Sequence, residues 1–194
     1  MTRTLVCLTL ATLLTVSGCG GRGAGSTPEA TFGVYKSAMS DRNFDDVWDM
    51  LSAASQERVQ RDATEVNGRA MTAEGPERAY LENAAKLMGL TLEQMKKMDG
   101  RQFYVGLLKM VADRGREEWD KLSRAEVSRV EKDGERAKVF IRSDGVEQTA
   151  RPLPLVLEDG RWKVDLVGVP MGALLRPEFP STPPTAPEVP RETP

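Results

Sequence analysis

The chain has 194 residues, about one domain's worth, with 27 Lys and Arg against 29 Asp and Glu, 40% hydrophobic residues and no histidine. A formal net charge of -2 excludes a strongly basic nucleic-acid-binding protein, and the remaining composition is that of a globular chain able to build a core. Lacking imidazole, it has no His-based zinc site, no Ser-His or Cys-His nucleophilic pair and no histidine pH switch.

Residues 1–18 read as an export signal, with Arg3 in the charged part and an apolar stretch from Leu5 to Val16. That stretch is too short to span a bilayer, which takes about 20 apolar residues. Val16-Ser17-Gly18-Cys19 comes directly after it and resembles the lipobox of bacterial lipoproteins: an aliphatic residue, two small residues, then the cysteine that receives lipid. The ordinary A-x-A-like cleavage pattern of a plain secretory signal is missing. The resemblance implies cleavage before Cys19, a diacylglycerol and an amide-linked acyl chain on that residue, and a location in the cell envelope. In a Gram-negative cell Gly20, standing where an Asp would favour inner-membrane retention, points to the outer membrane. Cleavage removes Cys7 and acylation occupies the other sulfur, so the two cysteines do not imply a disulfide. It also removes Arg3 and no acid, leaving 26 basic against 29 acidic residues, and such a body would be held at a membrane by lipid rather than charge.

Residues 19–26 are glycine-rich and read as a flexible tether rather than a phosphate loop, since no strand precedes them. One domain is expected over residues 27–170. Thr27-Pro28-Glu29 is a helix start, with a capping hydroxyl, a proline at the first position and an acid at the positive end of the dipole. Phe32, Tyr35, Ala38 and Met39 form one apolar stripe, and Phe44, Val47, Trp48 and Leu51 repeat at helical spacing while Asp45, Asp46 and Asp49 face out. A third, polar helix is predicted over 56–64, ending before Asn67-Gly68.

From Pro76 to Leu122 the chain reads as a second helical cluster, with helices near 77–88, 91–98 and 101–122, the last open to a break at Gly115. Thr91 to Gln94 fits a capping box, and Asp99-Gly100 marks a restart. Met88, Met95, Met98 and Met110 enrich this segment in adaptable thioethers; core filling is their expected use, a binding groove the alternative.

After Ala125 the period changes to that of strands, predicted at 125–131, 136–142, 146–157 and 161–167. They are separated by Asp133-Gly134, Asp144-Gly145 and Asp159-Gly160, a strong signal for successive hairpins. Leu153, Leu155 and Leu157 share one face, as do Trp162, Val164 and Leu166, and Pro152 with Pro154 predicts a bulge or an edge. The fold class is α+β: N-terminal amphipathic helices on a C-terminal antiparallel sheet. Residues 171–194 form a proline-rich tail, with seven of the 12 prolines after residue 175. It reads as a disordered terminus, with a spacer or a partner ligand as the functional alternative.

The Pro28 to Phe32 helix start, the Phe44 to Ser52 helix and the meander ending Leu157-Glu158-Asp159-Gly160-Arg161-Trp162 resemble the nuclear-transport-factor-2-like superfamily, in particular its small bacterial lipoprotein members. The resemblance covers about residues 27–65 and 123–167, which makes 76–122 a helical insertion. It implies a curved, cone-like sheet able to enclose a pocket. Enzymatic members resembling ketosteroid isomerase use pocket acids and a tyrosine, and no motif here aligns with their catalytic positions. No catalytic residue, metal or cofactor is therefore assigned. Polar-tipped residues expected to line the cone are Tyr35, Trp48, Tyr80, Tyr104 and Trp119, with Asp49 the acid weighed beside them. The expected function is a membrane-anchored, non-enzymatic module binding a partner protein or a small apolar ligand, with an isomerase or cyclase using a carboxylate and a tyrosine as the alternative.

Overall fold

A computed structural model describes residues 25–168. The export signal, Cys19, most of the glycine tether and the proline tail lie outside the described residues.

Thr27 caps the first helix, α1 (Pro28–Ser40), by accepting the Ala30 amide at 3.2 Å. Its inward stripe is the expected one: Phe32, Ala38 and Met39 are buried and Tyr35 is half-buried. A short link leads to α2 (Phe44–Asp49), which buries Phe44 and Val47. Ser52 then caps α3 (Ala53–Thr72) through the Ser55 amide.

This third helix has 20 residues and passes straight through Asn67-Gly68, contrary to the expected stop. Gly68 costs a helix interior roughly 1 kcal/mol relative to alanine. Tertiary contacts offset that local preference: Ala63 and Ala70, on either side, are buried, and the Asn67 amide donates to the Met98 carbonyl at 2.9 Å.

The segment predicted as a helical cluster contains α4 (Gly75–Leu87), α5 (Leu92–Met95), α6 (Gly100–Arg114) and α7 (Arg116–Arg124). Both restart signals are complete capping boxes, Thr91 with Gln94 and Asp99 with Gln102. Gly115 does break the long helix. The one-turn α5 is shorter than expected, because the chain turns after Met95 so that Met98 is buried as well. Helix α6 packs along α3 and α2, and α7 along α1.

Strands β1 (Glu126–Asp133), β2 (Arg136–Ser143), β3 (Val146–Glu158) and β4 (Arg161–Val164) form an open antiparallel sheet in sequential order. Two hairpins turn on Asp144-Gly145 and Asp159-Gly160, and in each both central residues take the positive φ of a primed turn. The first hairpin is displaced by one residue: Asp133 pairs with Arg136, so the turn is Gly134-Glu135 with positive φ at the glycine. Helix α1 crosses the sheet, touching β1, β2 and β4, and covers the inner face of Ala137, Val139, Leu155, Trp162 and Val164.

Two irregularities decide which side chains face inward. In β1, Val127 pairs with Ile141 and Val130 with Val139, so Ser128 and Arg129 together oppose Phe140. Simple alternation would send Val127 and Val130 to opposite faces, but the bulge lets both pack against the core. Phe140 is turned outward and kept buried by the Arg129 guanidinium, 3.4 Å above its ring centre. In the β2–β3 pair the register slips between Val139, opposite Leu153, and Ile141, opposite Gln148, which places the predicted bulge next to Pro152. Pro154 explains where β4 ends: its carbonyl accepts the Asp165 amide at 2.9 Å, but it has no N–H to return.

The helical layer is stitched to the free side of β4. Val164 donates to the Met50 carbonyl and Ser52 donates back to the Val164 carbonyl, both at 2.9 Å, making a short parallel bridge at Leu51. Beneath it the hydroxyls of Ser52 and Ser55, both fully buried, lie 2.7 Å apart, and Ser55 Oγ accepts the Leu166 amide at 2.7 Å. At the other end of β4 Trp162 donates to the Gly25 carbonyl at 3.1 Å, and Gly25 donates to Thr31 Oγ1 at 2.9 Å. A Cβ on Gly25 would stand 2.7 Å from the Thr31 nitrogen, so that position requires glycine for close approach. Gly25, within the segment read as a tether, is thus docked against α1 and β4.

Candidate binding cleft

Helix α4 is the least integrated of the long helices. It turns Leu81, Ala85 and Met88 inward and contacts α5, leaving a cleft of about 410 Å³ between itself and the α3–α6 pair. The floor is made by Met88, Met95, Phe103, Leu107 and Met110. Three of the four methionines noted in the sequence therefore meet in one place, bringing the adaptable thioethers of two helices and a single turn together. Tyr80 and Leu87 stand on the rim and are 67% and 36% exposed, an apolar margin open to solvent.

Two cations line this cleft. Arg69 is held by Glu77, its Nε and Nη2 donating to one carboxylate oxygen at 3.1 and 2.8 Å, and that partner raises the guanidinium pKa. Arg114 lines the cleft from the last turn of α6. Two other depressions differ in chemistry. One of about 570 Å³ beside the first hairpin is bordered by Glu131, Asp133 and Asp165 with Lys132, Arg136 and Lys138. Another of about 570 Å³ carries Arg42, Lys86 and Lys109. Both are more charged than the α3–α4–α6 cleft.

Of the five aromatic residues proposed for a pocket, only Tyr80 lies in this cleft. Tyr104 is 2% exposed on α6, its ring 6.0 Å from that of half-buried Trp48. Trp119 packs edge-on against Phe44 at 5.7 Å, and its indole N–H donates to the Met39 carbonyl at 3.0 Å. These rings join α1, α2, α6 and α7. Asp49 is exposed and shares Arg101 with Asp45, at 3.1 and 2.8 Å, an ion pair between α2 and α6. The hydrogen bond that Arg101 donates to Asp45 is the main cause of its raised pKa.

No protein-family model, curated protein or solved structure matches the chain.

Burial pushes the Tyr35 phenol up to about 12, and burial together with the nearby Tyr35 pushes Tyr104 well above the ordinary phenol value. A raised phenol pKa means that the folded chain holds its proton more tightly than the unfolded chain. The associated stability is complete below about pH 10 and is lost as pH climbs through the folded value. The fall in melting temperature between about pH 9 and pH 11 should therefore be smaller in a Tyr35→Phe/Tyr104→Phe double variant than in the wild type. An equal fall in both proteins would contradict the burial of the two phenols.

The cleft residues Leu81, Phe103 and Leu107 had no signal in the sequence beyond helical periodicity. That periodicity shows which side of a helix is apolar, and it is silent on whether the neighbouring helix closes over it.

Proposed function

We propose that the protein is a lipid-anchored envelope protein whose domain is a non-enzymatic binding module. The α3–α4–α6 cleft is its working surface, and its occupant is an apolar group, such as side chains of a partner protein. The apolar, methionine-floored cleft with the exposed rim of Tyr80 and Leu87 carries this reading, because such margins mark interaction sites. The lipobox-like Val16 to Cys19 supports the anchor, and acylation there would hold the domain at the membrane surface. Six residue steps from Cys19 to the docked Gly25 span at most about 20 Å, which would keep the body close to the head groups.

The non-enzymatic reading rests on the chemistry of the cleft lining, which is apolar apart from Arg69, Asn83, Arg114 and the phenol of Tyr80. Helices leading into an antiparallel meander also support the likeness to the nuclear-transport-factor-2-like superfamily.

A photoreactive residue tests the cleft directly. With p-benzoylphenylalanine at Tyr80, irradiation of cells should yield an adduct of one defined added mass. The same group at Val34, exposed on α1, should not yield that adduct. Identical products from both positions, or none, would remove the cleft from the function.

A further inference from the structure

The described chain leaves the fold on the same face of α3 that forms the cleft. Leu166 donates to Ser55 Oγ at 2.7 Å, and the carbonyls of Leu166 and Val167 both accept from Arg58 Nη1, at 2.8 and 2.6 Å. Ser55 and Val66 are eleven positions apart, as are Arg58 and Arg69. Eleven positions at 100° each come within about 20° of three whole turns and advance about 16 Å. Val66 and Arg69 line the cleft. The exit of the chain and the cleft wall are therefore successive stretches of one helix face.

The next residues of the chain have the chemistry to fill the cleft. Leu166 to Leu175 is an uncharged run, Leu-Val-Gly-Val-Pro-Met-Gly-Ala-Leu-Leu, which stops at Arg176. A chain in extended form covers about 16 Å in roughly five residues. Five steps from Val167 end at Gly172, so an extended segment running along α3 would come level with Val66 and Arg69 there, with Met171 beside it and Leu174 and Leu175 beyond. Glu178, the first acid after the run, has the charge to complement Arg69 and Arg114, which line the cleft.

We infer that Met171–Leu175 occupies the α3–α4–α6 cleft of the same chain when no partner is bound, so that a partner gains the site by displacing it. This regulation rests on the binding role proposed above, whereas occupancy by the segment is tested without any partner.

The purified full-length chain carrying p-benzoylphenylalanine at Tyr80 is irradiated at high dilution, digested and mapped. A crosslink from position 80 to a peptide within residues 169–179 is expected. It should fall to the level of the Val34 control in a Leu174→Asp/Leu175→Asp variant with an unchanged melting temperature. A crosslink to another copy, no crosslink to this peptide, or one unchanged in the aspartate variant would overturn the inference. The same probe in cells separates the two ideas. Adducts in cells together with no intrachain link in the purified chain would leave the binding role standing and the segment's docking refuted, and an intrachain link in the purified chain with no adduct in cells would do the reverse.

Discussion

Replacing Trp162 by alanine should cost about 3–5 kcal/mol and lower the melting temperature by roughly 10–15 °C. The indole is 6% exposed on β4, inside the sheet face that α1 covers, so truncation leaves a large cavity bounded by two layers rather than a surface dent. The backbone around it is equally committed. Its amide holds Gly25, and its carbonyl accepts from Thr31 Oγ1 at 3.3 Å, so loosening β4 also releases the point where the N-terminal segment joins the domain. Trp162→Phe keeps most of the buried area and should lose less than half as much as the alanine variant. Thermal unfolding monitored by circular dichroism checks both. A melting temperature of Trp162→Ala within about 2 °C of wild type would place the ring outside the core.

Cys19→Ala should remove nearly all of the protein from the membrane fraction while leaving the melting temperature of the domain unchanged. Two or more acyl chains anchor a protein stably, whereas a single myristoyl-sized chain binds only marginally. Among the described residues no helix is long and apolar enough to cross a membrane, so the domain itself offers no helical span as a substitute. A mildly acidic body adds no electrostatic attraction to anionic lipid. Quantifying the chain in membrane and soluble fractions, with intact mass to detect lipid, decides the matter. A Cys19→Ala chain that stays with membranes as fully as the wild type would refute lipid anchoring at this position.

The sheet was legible because three hairpins announce themselves with residues that tolerate positive φ, and alternation assigns Leu155, Trp162 and Val164 to the core without knowledge of their partners. Helix starts were legible for the same local reason: the side chains of Thr27, Thr91 and Asp99 each accept a backbone amide within their own first turn. Non-local contacts were not. The bulge at Ser128 and Arg129 is set by which valines must reach the core, and nothing within β1 declares it. The continuation of α3 through Gly68 depends on Asn67 finding the Met98 carbonyl 31 positions away. Aromatic residues in the helices were visible as candidates, but the sequence could not separate Tyr104, sealed against Trp48, from Tyr80 on the cleft rim. The methionines were the better pointer, because an adaptable side chain is compatible with a core and with a groove, and the structure brings Met88, Met95 and Met110 to the same floor.

Native mass spectrometry of the full-length lipidated chain, extracted from its host's membranes in mild detergent, puts the binding role to the most direct test. Wild type is compared with Leu87→Glu, which introduces a charge at a rim residue that is 36% exposed and so leaves the core intact. The expected spectrum shows wild type with a bound species of defined mass and Leu87→Glu without it. A wild-type chain carrying nothing beyond its own lipid, or a variant that keeps the species, would show that the cleft is not where this protein binds.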